Sequence, residues 1–192
     1  MSDNPGALDL SGLADLDRNT RDLQECVMAI RMIPMSTVFS RFPRMLRDLA
    51  AKLGKKVELI THGEATELDK GLIEKITDPL THLIRNSCDH GIESPEERLA
   101  RGKPAAGTIT LAASHQGGSV IIEVRDDGKG IDPELLRTEG RQGHFGLGGM
   151  RERAKLAGGS LTVWSGLDTG TEVELSIPAP HAYSRSSPSR SW

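Results

Sequence analysis

The chain has 192 residues, of which 36% are hydrophobic and 27% charged, with a formal net charge of −3. This length suits one domain with appendages, and the slightly negative charge argues against nucleic-acid binding, which usually needs a basic stripe. No stretch approaches the roughly 20 apolar residues that span a bilayer, so we expect no direct membrane contact. Two distant cysteines, Cys26 and Cys88, favour a reducing, cytoplasmic setting over a disulfide framework.

The first half of the sequence predicts three helices around one strand. Apolar residues recur at helical spacing in each predicted helix, and Pro34 and Gly54 are helix-ending residues. The predicted elements are a disordered leader (1–17), a helix (18–33) ended by Pro34, a helix within 36–53 ended by Gly54, a strand within 56–63, and a long helix capped by Asp69 that runs to about Gly91.

The second half predicts mainly hairpins. Ser94 and Glu97 form a capping box for a short helix, and Gly117-Gly118 is a hairpin turn between two alternating strands. A glycine-dense loop, a short helix and a second hairpin within 160–178 follow, and then a tail (179–192) rich in Ser, Pro and Arg that is predicted to be disordered. The expected fold is therefore α+β: a two-layer sandwich with a mixed, mostly antiparallel sheet covered by helices on one face.

The long helix has two different faces when its residues are placed at 100° intervals. One face is apolar and is expected to pack on the sheet. The other carries His82, Asn86 and Asp89, flanked by Arg85 and His90. The apolar face consists of Leu72, Ile73, Ile76, Leu80, Leu83, Ile84 and Ser87.

The polar face of the long helix allows three interpretations. A solvated surface is the default, although such faces favour Glu, Lys and Arg over His and Asn. A zinc site fits poorly, because His82 and His90 are two turns apart and Cys88 points away from both. Asn86 instead suits a hard cation such as Mg²⁺, which takes oxygen ligands, keeps waters and binds phosphate oxygens.

The segment "RDDGKGID" places two carboxylates and two glycines at the end of a strand. Asp126 is the last member of an inward-facing row that is otherwise apolar. A carboxylate in that position is costly unless a group donates a hydrogen bond to it, as the exocyclic amine of adenine could. The alternative is a tight turn with two solvated aspartates, in which Gly128 and Gly130 serve only the backbone.

A second glycine-rich segment, "GHFGLGGM", lies just before a predicted helix. Backbone N–H groups at a helix N-terminus bind phosphate well, although the segment matches neither a P-loop nor a dinucleotide-binding fingerprint. Farther on, Thr171 follows Gly170 at a strand start, where it could contact a phosphate or close the turn. The glycines of the segment are Gly143, Gly146, Gly148 and Gly149, with Leu147 between them.

The order of these features resembles the ATP-binding domain of the histidine kinase, gyrase, Hsp90 and MutL superfamily, the Bergerat fold. An Asn-bearing helix, a D-x-G-x-G turn, a glycine-rich loop opening a helix, and a Gly-Thr pair on the last strand occur in the order of its boxes. Residues 21–131 resemble the chemotaxis histidine kinase CheA, including His82 where most histidine kinases carry Glu. Residues 132–192 resemble NarX/DesK-type sensor histidine kinases, so a hybrid of two lineages, natural or engineered, is expected.

This resemblance implies roles for individual residues, with ATP and Mg as cofactors. His82 would be catalytic, orienting the γ-phosphate or acting as a base, and Asn86 would ligate Mg²⁺. Asp126 would accept from the adenine amine. The implied nucleotide-binding residues are Arg85, Asn86, Asp89, His90, Asp126, Gly128, Gly130, Ile131, Gly143, Gly146, Leu147, Gly148, Gly149 and Thr171.

The resemblance also implies the domain layout and the partners. Residues 18–34 would be the remnant of a dimerisation helix and 35–178 the ATP-binding domain. None of the six histidines lies in an acceptor-type helix, so the implied partner is a phosphoacceptor histidine domain or protein in trans, with a weak homodimer also expected. The alternatives are a non-catalytic interaction scaffold, a gyrase- or Hsp90-like ATPase, which would use Glu where this chain has His82, and an anti-sigma-type serine kinase.

Overall fold

The computed structural model describes residues 10–132 and 147–182, and the chain divides into two compact units, Met1–Met32 and Ile33–Trp192. In the first unit, α1 (Leu10–Arg31) is a single helix. Residues 10–17 are thus helical where a disordered leader is predicted, because Leu10, Leu13 and Leu16 recur at helical spacing; residues 1–9 lie outside the described residues. The domain bounds 18–34 and 35–178 remain a prediction.

The elements after α1 are a mixture of helices and strands, and each of the two predicted hairpins follows a helix. Their bounds are β1 (Met32–Pro34), α2 (Ser36–Phe39), α3 (Phe42–Leu53), β2 (Val57–His62), β3 (Glu67–Asp69), α4 (Lys70–Asn86), the π-turn (Ser87–Gly91), α5 (Pro95–Ala100), β4 (Gly107–Gln116), β5 (Ser119–Asp126), α6 (Leu147–Leu156), β6 (Ser160–Gly166), β7 (Gly170–Pro178) and α7 (Ala179–Ala182).

The main sheet has five strands in the order β2-β4-β5-β7-β6. Strands β2 and β4 are parallel, and every other neighbouring pair is antiparallel. The mixed, mostly antiparallel sheet and both hairpins are therefore confirmed. Strands β1 and β3, which form a separate two-stranded sheet, were not predicted, because three residues are too few to show an alternating pattern.

The hydrophobic core lies between one face of this sheet and the helices. Val120, Ile122 and Val124 of β5 point into it and are at most 2% exposed, whereas Glu123 and Arg125 alternate toward the opposite face. The α+β two-layer sandwich is confirmed. All six predicted apolar residues of α4 are buried, namely Leu72, Ile73, Ile76, Leu80, Leu83 and Ile84.

Helix boundaries also differ from prediction within 36–53 and after Pro178. The helix expected within 36–53 is two helices, because Pro43 starts a new first turn in α3. Gly54 ends α3 as predicted, with a φ of 64°. At the other end of the molecule, α7 occupies the first four residues of the predicted disordered tail, and residues 183–192 lie outside the described residues.

The C-terminal end of α4 departs from the predicted α-helix and positions the site. Asp69 caps the helix as predicted, accepting from Gly71 N at 2.8 Å. After Asn86, however, the chain continues as the π-turn, in which Ile92 N donates to Ser87 O at 2.7 Å. A π-turn contains one residue more than an α-turn, so side chains beyond Asn86 leave the 100° spacing.

Within the parts of the chain that the structure describes, no helix combines the length and apolar character needed to cross a bilayer.

Candidate functional site

A cavity of about 190 Å³ opens where the end of α4, the π-turn, β5 and β7 meet. It combines apolar walls with a few polar groups, as small-molecule sites commonly do. Its lining comes from four separate parts of the sequence, within 83–91, within 126–131, at 147 and within 171–173. Its lining residues are Leu83, Asn86, Ser87, His90, Gly91, Asp126, Lys129, Gly130, Ile131, Leu147, Thr171 and Val173.

Asp126 is the buried acid of this cavity, only 3% exposed at the end of β5. Burial raises the pKa of its carboxyl group, while hydrogen bonds from the Ser87 side chain and the backbone N–H groups of Gly128 and Thr171 lower it and the neighbouring negative charge of Asp127 raises it. The Gly128 N–H donates to Oδ1 at 3.1 Å. The net shift of the pKa is upward, which means that these donors offset only part of the cost of burying the charge.

No cation compensates Asp126 among the residues that the structure describes. The ion pairs in that part of the chain join other carboxylates, and the hydrogen bonds to Asp126 come from a hydroxyl and two backbone amides. A buried carboxylate with partly unmet acceptor capacity, facing a cavity, is suited to accept a hydrogen bond from a ligand.

The glycines of the D-x-G-x-G turn are required by neighbouring backbone. A Cβ on Gly128 would lie 2.2 Å from the carbonyl oxygen of Gly91 in the π-turn. Gly130 has a φ of 71°, and a Cβ there would lie 2.0 Å from the oxygen of Gly166. The resemblance implies that Gly128 and Gly130 bind the nucleotide, and this role stays a prediction; in the structure the position of a Cβ on either glycine is taken by neighbouring backbone.

The floor of the cavity is formed where β7 pairs with β5. Thr171 lies opposite Asp126 in this register, and its hydroxyl is 2.9 Å from the hydroxyl of Ser165. Ser165 also accepts from the Ile131 N–H at 2.7 Å. Because Ser165 contacts both residues, it fixes Ile131, at the end of the D-x-G-x-G turn, relative to Thr171.

The predicted residues on α4 and the π-turn are distributed between the cavity and its rim. Asn86 is half-buried and lines the cavity together with the exposed His90. Asp89 lies next to His90, with Oδ2 3.6 Å from Nε2. His82, Arg85 and Asp89 are exposed and lie outside the lining of this cavity.

The predicted phosphate-binding glycine loop is only partly described. Leu147 is buried and lines the cavity, at the first residue of α6. Gly148 and Gly149 are exposed in the same first turn. Gly143 and Gly146 lie outside the described residues, so their roles remain a prediction.

Sequence reasoning missed Ser87, Gly91 and Lys129 as lining residues. The helical wheel puts Ser87 on the face that packs on the sheet, and there its side chain bonds Asp126 of β5. A serine at the end of an otherwise apolar row, on the helix that packs against a strand ending in Asp126, is the signal that could have identified this hydrogen bond. No comparable sequence signal exists for Lys129, because its position follows from the path of the turn.

Lys55 supports the π-turn from outside the cavity. Its ammonium group donates to the carbonyl oxygens of Cys88 at 2.9 Å and Asp89 at 2.5 Å. Carbonyls near the end of a helix lack intrahelical partners, and a cation there also complements the helix dipole. Lys55 therefore stabilises the turn that carries His90 and Gly91.

Comparison with known families gives the class of protein to which this fold and cavity belong. Residues 75–181 match the family described as histidine kinase-, DNA gyrase B-, and HSP90-like ATPase. The matched segment begins within α4 and continues through β7, so it contains every residue that lines the cavity. The chain belongs to this family.

Within the family, the chain is similar to chemotaxis histidine kinases. It is 62% identical over 127 residues to the chemotaxis protein CheA of Salmonella typhimurium. The aligned region covers 66% of this chain and 19% of that protein. The chain is 55% identical over 120 residues to the sensor histidine kinase CheAY of Helicobacter pylori, covering 62% of this chain and 15% of that protein. The chain thus spans about a fifth of the length of these relatives or less. The expected resemblance to a CheA-like ATP-binding domain is confirmed.

Solved structures support the same fold at low sequence identity. The histidine kinase domain of the Erythrobacter litoralis EL346 blue-light activated histidine kinase superposes with a TM-score of 0.59 at 21% identity, covering 79% of this chain and 64% of that one. At this identity the likeness shows the fold alone, and it agrees with the α+β sandwich described above.

Proposed function

We propose that the chain is the Mg²⁺-ATP-binding catalytic domain of a histidine kinase, which transfers the γ-phosphate of ATP to a histidine on a separate domain or protein. The observation that carries this proposal is Asp126, a buried carboxylate that faces the cavity with no cation compensating it among the described residues. The adenine amine is a donor suited to that acceptor. Family membership and the CheA-like relatives support the same nucleotide.

Two further polar residues, Asn86 and His82, suit the Mg²⁺ ion and the γ-phosphate of the ligand. Asn86 offers an amide oxygen of the kind that Mg²⁺ accepts, and this ion usually takes one or two protein ligands together with waters and phosphate oxygens. When bound, Mg²⁺ would neutralise phosphate charge. His82 precedes Asn86 by four residues on α4 and therefore lies on the same side of the helix, where it is exposed and can orient the γ-phosphate.

The test is calorimetric titration of the full chain and of Asp126→Asn with ATP and Mg²⁺. Asp126→Asn should weaken binding by roughly 1.5–3 kcal/mol, the effect of losing a charge-assisted hydrogen bond. Asp48→Asn, at an exposed position of α3, is the matched control and should bind like the parent chain. Equal affinities for Asp126→Asn and the parent would remove Asp126 from the site, and no binding by the parent would favour an interaction scaffold.

The proposal also predicts that the chain does not phosphorylate itself. Neither His82 nor His90 lies in an acceptor-type sequence, and the acceptor is expected in trans. Incubation with γ-labelled ATP should therefore leave the chain unlabelled, while a separately added phosphoacceptor domain of a CheA-type kinase should take up label in its presence. Stable label on the chain itself would contradict an acceptor in trans.

The hybrid of a CheA-like part (21–131) and a NarX/DesK-like part (132–192) remains part of this proposal. The CheA-like matches extend over 120 to 130 of the 192 residues, so part of the chain lies outside each of them. The two parts pair directly in the sheet, because β5 belongs to one and β7 to the other over eight residues. A hybrid that folds as one unit should give a protease-resistant core of about 140 residues, and rapid digestion without such a core would contradict it.

A further inference from the structure

A cluster of charges that includes the buried Glu93 and Arg98 adjoins the D-x-G-x-G turn. Arg98 of α5 is 0% exposed, although arginine is almost never fully buried unless it is paired. It lies in the segment between the π-turn and β4, which contributes no residue to the lining of the cavity. We call Glu93, Arg98, Lys103 and Asp127 the charge cluster.

Arg98 is held by four hydrogen bonds. Its Nε donates to Pro104 O at 2.7 Å, and its Nη1 donates to Glu93 Oε2 at 3.1 Å and to Asp127 O at 3.3 Å. Its Nη2 donates to Asp127 Oδ2 at 3.0 Å. Two cations and two carboxylates make up the cluster, so the buried charges cancel, as burial requires.

Lys103 extends this cluster onto the backbone of the D-x-G-x-G turn. Its Nζ donates to Glu93 Oε1 at 3.0 Å and to the carbonyl oxygens of Asp127 at 3.1 Å and Gly128 at 2.9 Å. The two carbonyls immediately after Asp126 are thus both bonded to Lys103. Because Gly128 N also donates to the Asp126 carboxylate, the peptide that Lys103 holds is the one that orients Asp126.

The turn is anchored at further points that leave it little freedom. Asp127 Oδ1 accepts from Thr108 N at 2.9 Å, and Lys129 N donates to Gly91 O at 3.0 Å. Without Lys103, however, the carbonyls of Asp127 and Gly128 would lose a cationic partner in a part-buried environment, where unmet acceptors favour rearrangement. The surrounding anchors would preserve the fold, and the local path of residues 127–128 would change.

We infer that Lys103 and Arg98 are positioning residues: through the backbone of Asp127 and Gly128, they set the Asp126 carboxylate at the distance and angle that recognise the exocyclic amine of an adenine nucleotide. This inference rests on the proposed function. The segment from Glu93 to Lys103 then acts as a fixed support for the base-binding end of the site, without touching the nucleotide itself.

The experiment compares binding of ADP and inosine diphosphate, which has an oxygen in place of the exocyclic amine, by calorimetry in Mg²⁺. Lys103→Met should weaken ADP roughly tenfold, corresponding to one misplaced hydrogen bond, and leave inosine diphosphate almost unchanged, so the preference for ADP falls. Lys103→Arg should restore most of that preference. Lys52→Met, at an exposed position of α3, is the matched control and should bind both nucleotides like the parent chain.

A role in stability alone would lower the melting temperature of Lys103→Met but leave the ratio of the two affinities unchanged in the folded protein, and that result overturns the inference. If Lys103→Met does not fold, Asp127→Asn replaces it, because that side chain is 44% exposed and the amide oxygen can still accept from Thr108 N. Asp127→Asn should lower the preference for ADP over inosine diphosphate, and an unchanged preference in this variant would overturn the inference. A parent chain that binds neither nucleotide would instead refute the proposed function, and the inference with it.

Discussion

Asp126 and Asp127 are consecutive residues whose carboxylates enter two chemically different regions. Asp126 faces the cavity, where its partners are a hydroxyl and backbone amides and its pKa is raised. Asp127 faces the charge cluster, where Arg98 bonds both its side chain and its carbonyl. The comparison teaches that the half-exposed Asp127 is paired with a cation within the protein, whereas the buried Asp126, which has none among the described residues, is available to accept a hydrogen bond from a ligand.

Glu93 shows the same contrast with a second buried carboxylate. Burial alone would raise the pKa of Glu93, but the hydrogen bond from Lys103, its own backbone N–H and the charges of Lys103 and Arg98 outweigh burial and lower it. Asp126, which has no such cation, shifts in the opposite direction. The pKa is therefore lowered for the acid in the charge cluster and raised for the acid that faces the cavity. This difference can be tested.

The largest expected effect on stability comes from removing Arg98 from the charge cluster. Arg98→Met should lower the free energy of unfolding by about 3–5 kcal/mol, because it leaves Glu93 buried next to fewer donors. Urea unfolding followed by circular dichroism measures this change. Arg101→Met breaks an exposed pair with Asp168 and should cost less than about 1 kcal/mol; similar losses for both variants would show that the cluster is not specially stabilising.

The next largest loss of stability is expected at Gly128, where the D-x-G-x-G turn meets the π-turn. Gly128→Ala would place a Cβ 2.2 Å from the Gly91 carbonyl, so the π-turn and the D-x-G-x-G turn must separate. We expect a loss of about 1–3 kcal/mol in the free energy of unfolding, together with weaker nucleotide binding.

Gly148→Ala is the matched control for the stability measurement, since a Cβ there meets nothing within 4 Å. Within the helix α6 this substitution should stabilise slightly, by about 0.5–1 kcal/mol. Destabilisation by Gly148→Ala equal to that of Gly128→Ala would mean that the close approach at Gly128 is not the cause.

A smaller effect is expected at the hydroxyl that supports Asp126. Ser87→Ala removes a hydrogen bond that lowers the pKa of Asp126, so that pKa should rise further and ATP binding should weaken by about 1 kcal/mol at neutral pH. Calorimetry measures the affinity, and Ser87→Thr, which retains the hydroxyl, is the control. An unchanged affinity in Ser87→Ala would show that this hydrogen bond does not contribute to binding.

The smallest effects are those of pH, and they have opposite signs in the two regions. Glu93 has a lowered pKa, so its contribution to stability is present above its unfolded pKa and is lost as the pH falls through its folded pKa. Asp126 has a raised pKa, so its contribution is present below its unfolded pKa and is lost as the pH rises through its folded pKa.

Urea unfolding over a range of pH separates these contributions. Relative to the parent, Asp126→Asn should gain stability at neutral pH and lose that advantage in acid. Glu93→Gln should lose stability at neutral pH, and the deficit should shrink in acid. If both variants changed in the same direction with pH, the contrast between the two regions would be wrong.

The sequence was sufficient to predict the parts of the site that depend on periodicity and chain order. Alternation along β5 placed Asp126 at the inward end of an apolar row, and both the buried face of α4 and the capping box of α5 were recognised from local patterns. The sheet and the family followed because four motifs occur in a fixed order.

The sequence was not sufficient where contacts join distant segments or the helix changes its geometry. Arg98 looked like an ordinary charged residue of a polar segment, and only the fold shows it buried against Asp127. Ser87 lies on the predicted sheet-facing side of α4, but its hydrogen bond to Asp126 joins two segments that are far apart in sequence. In both cases the deciding interaction is tertiary, and no local pattern encodes it.

The pairing of β5 with β7 has a consequence for how the protein folds. Thr171 is held opposite Asp126 by the pairing of β7 with β5, a contact between segments far apart in sequence. Such non-local pairing delays folding, because the intervening loop must first be closed. The lining of the cavity extends to Val173, so during synthesis on a ribosome the cavity cannot be complete until that residue has emerged.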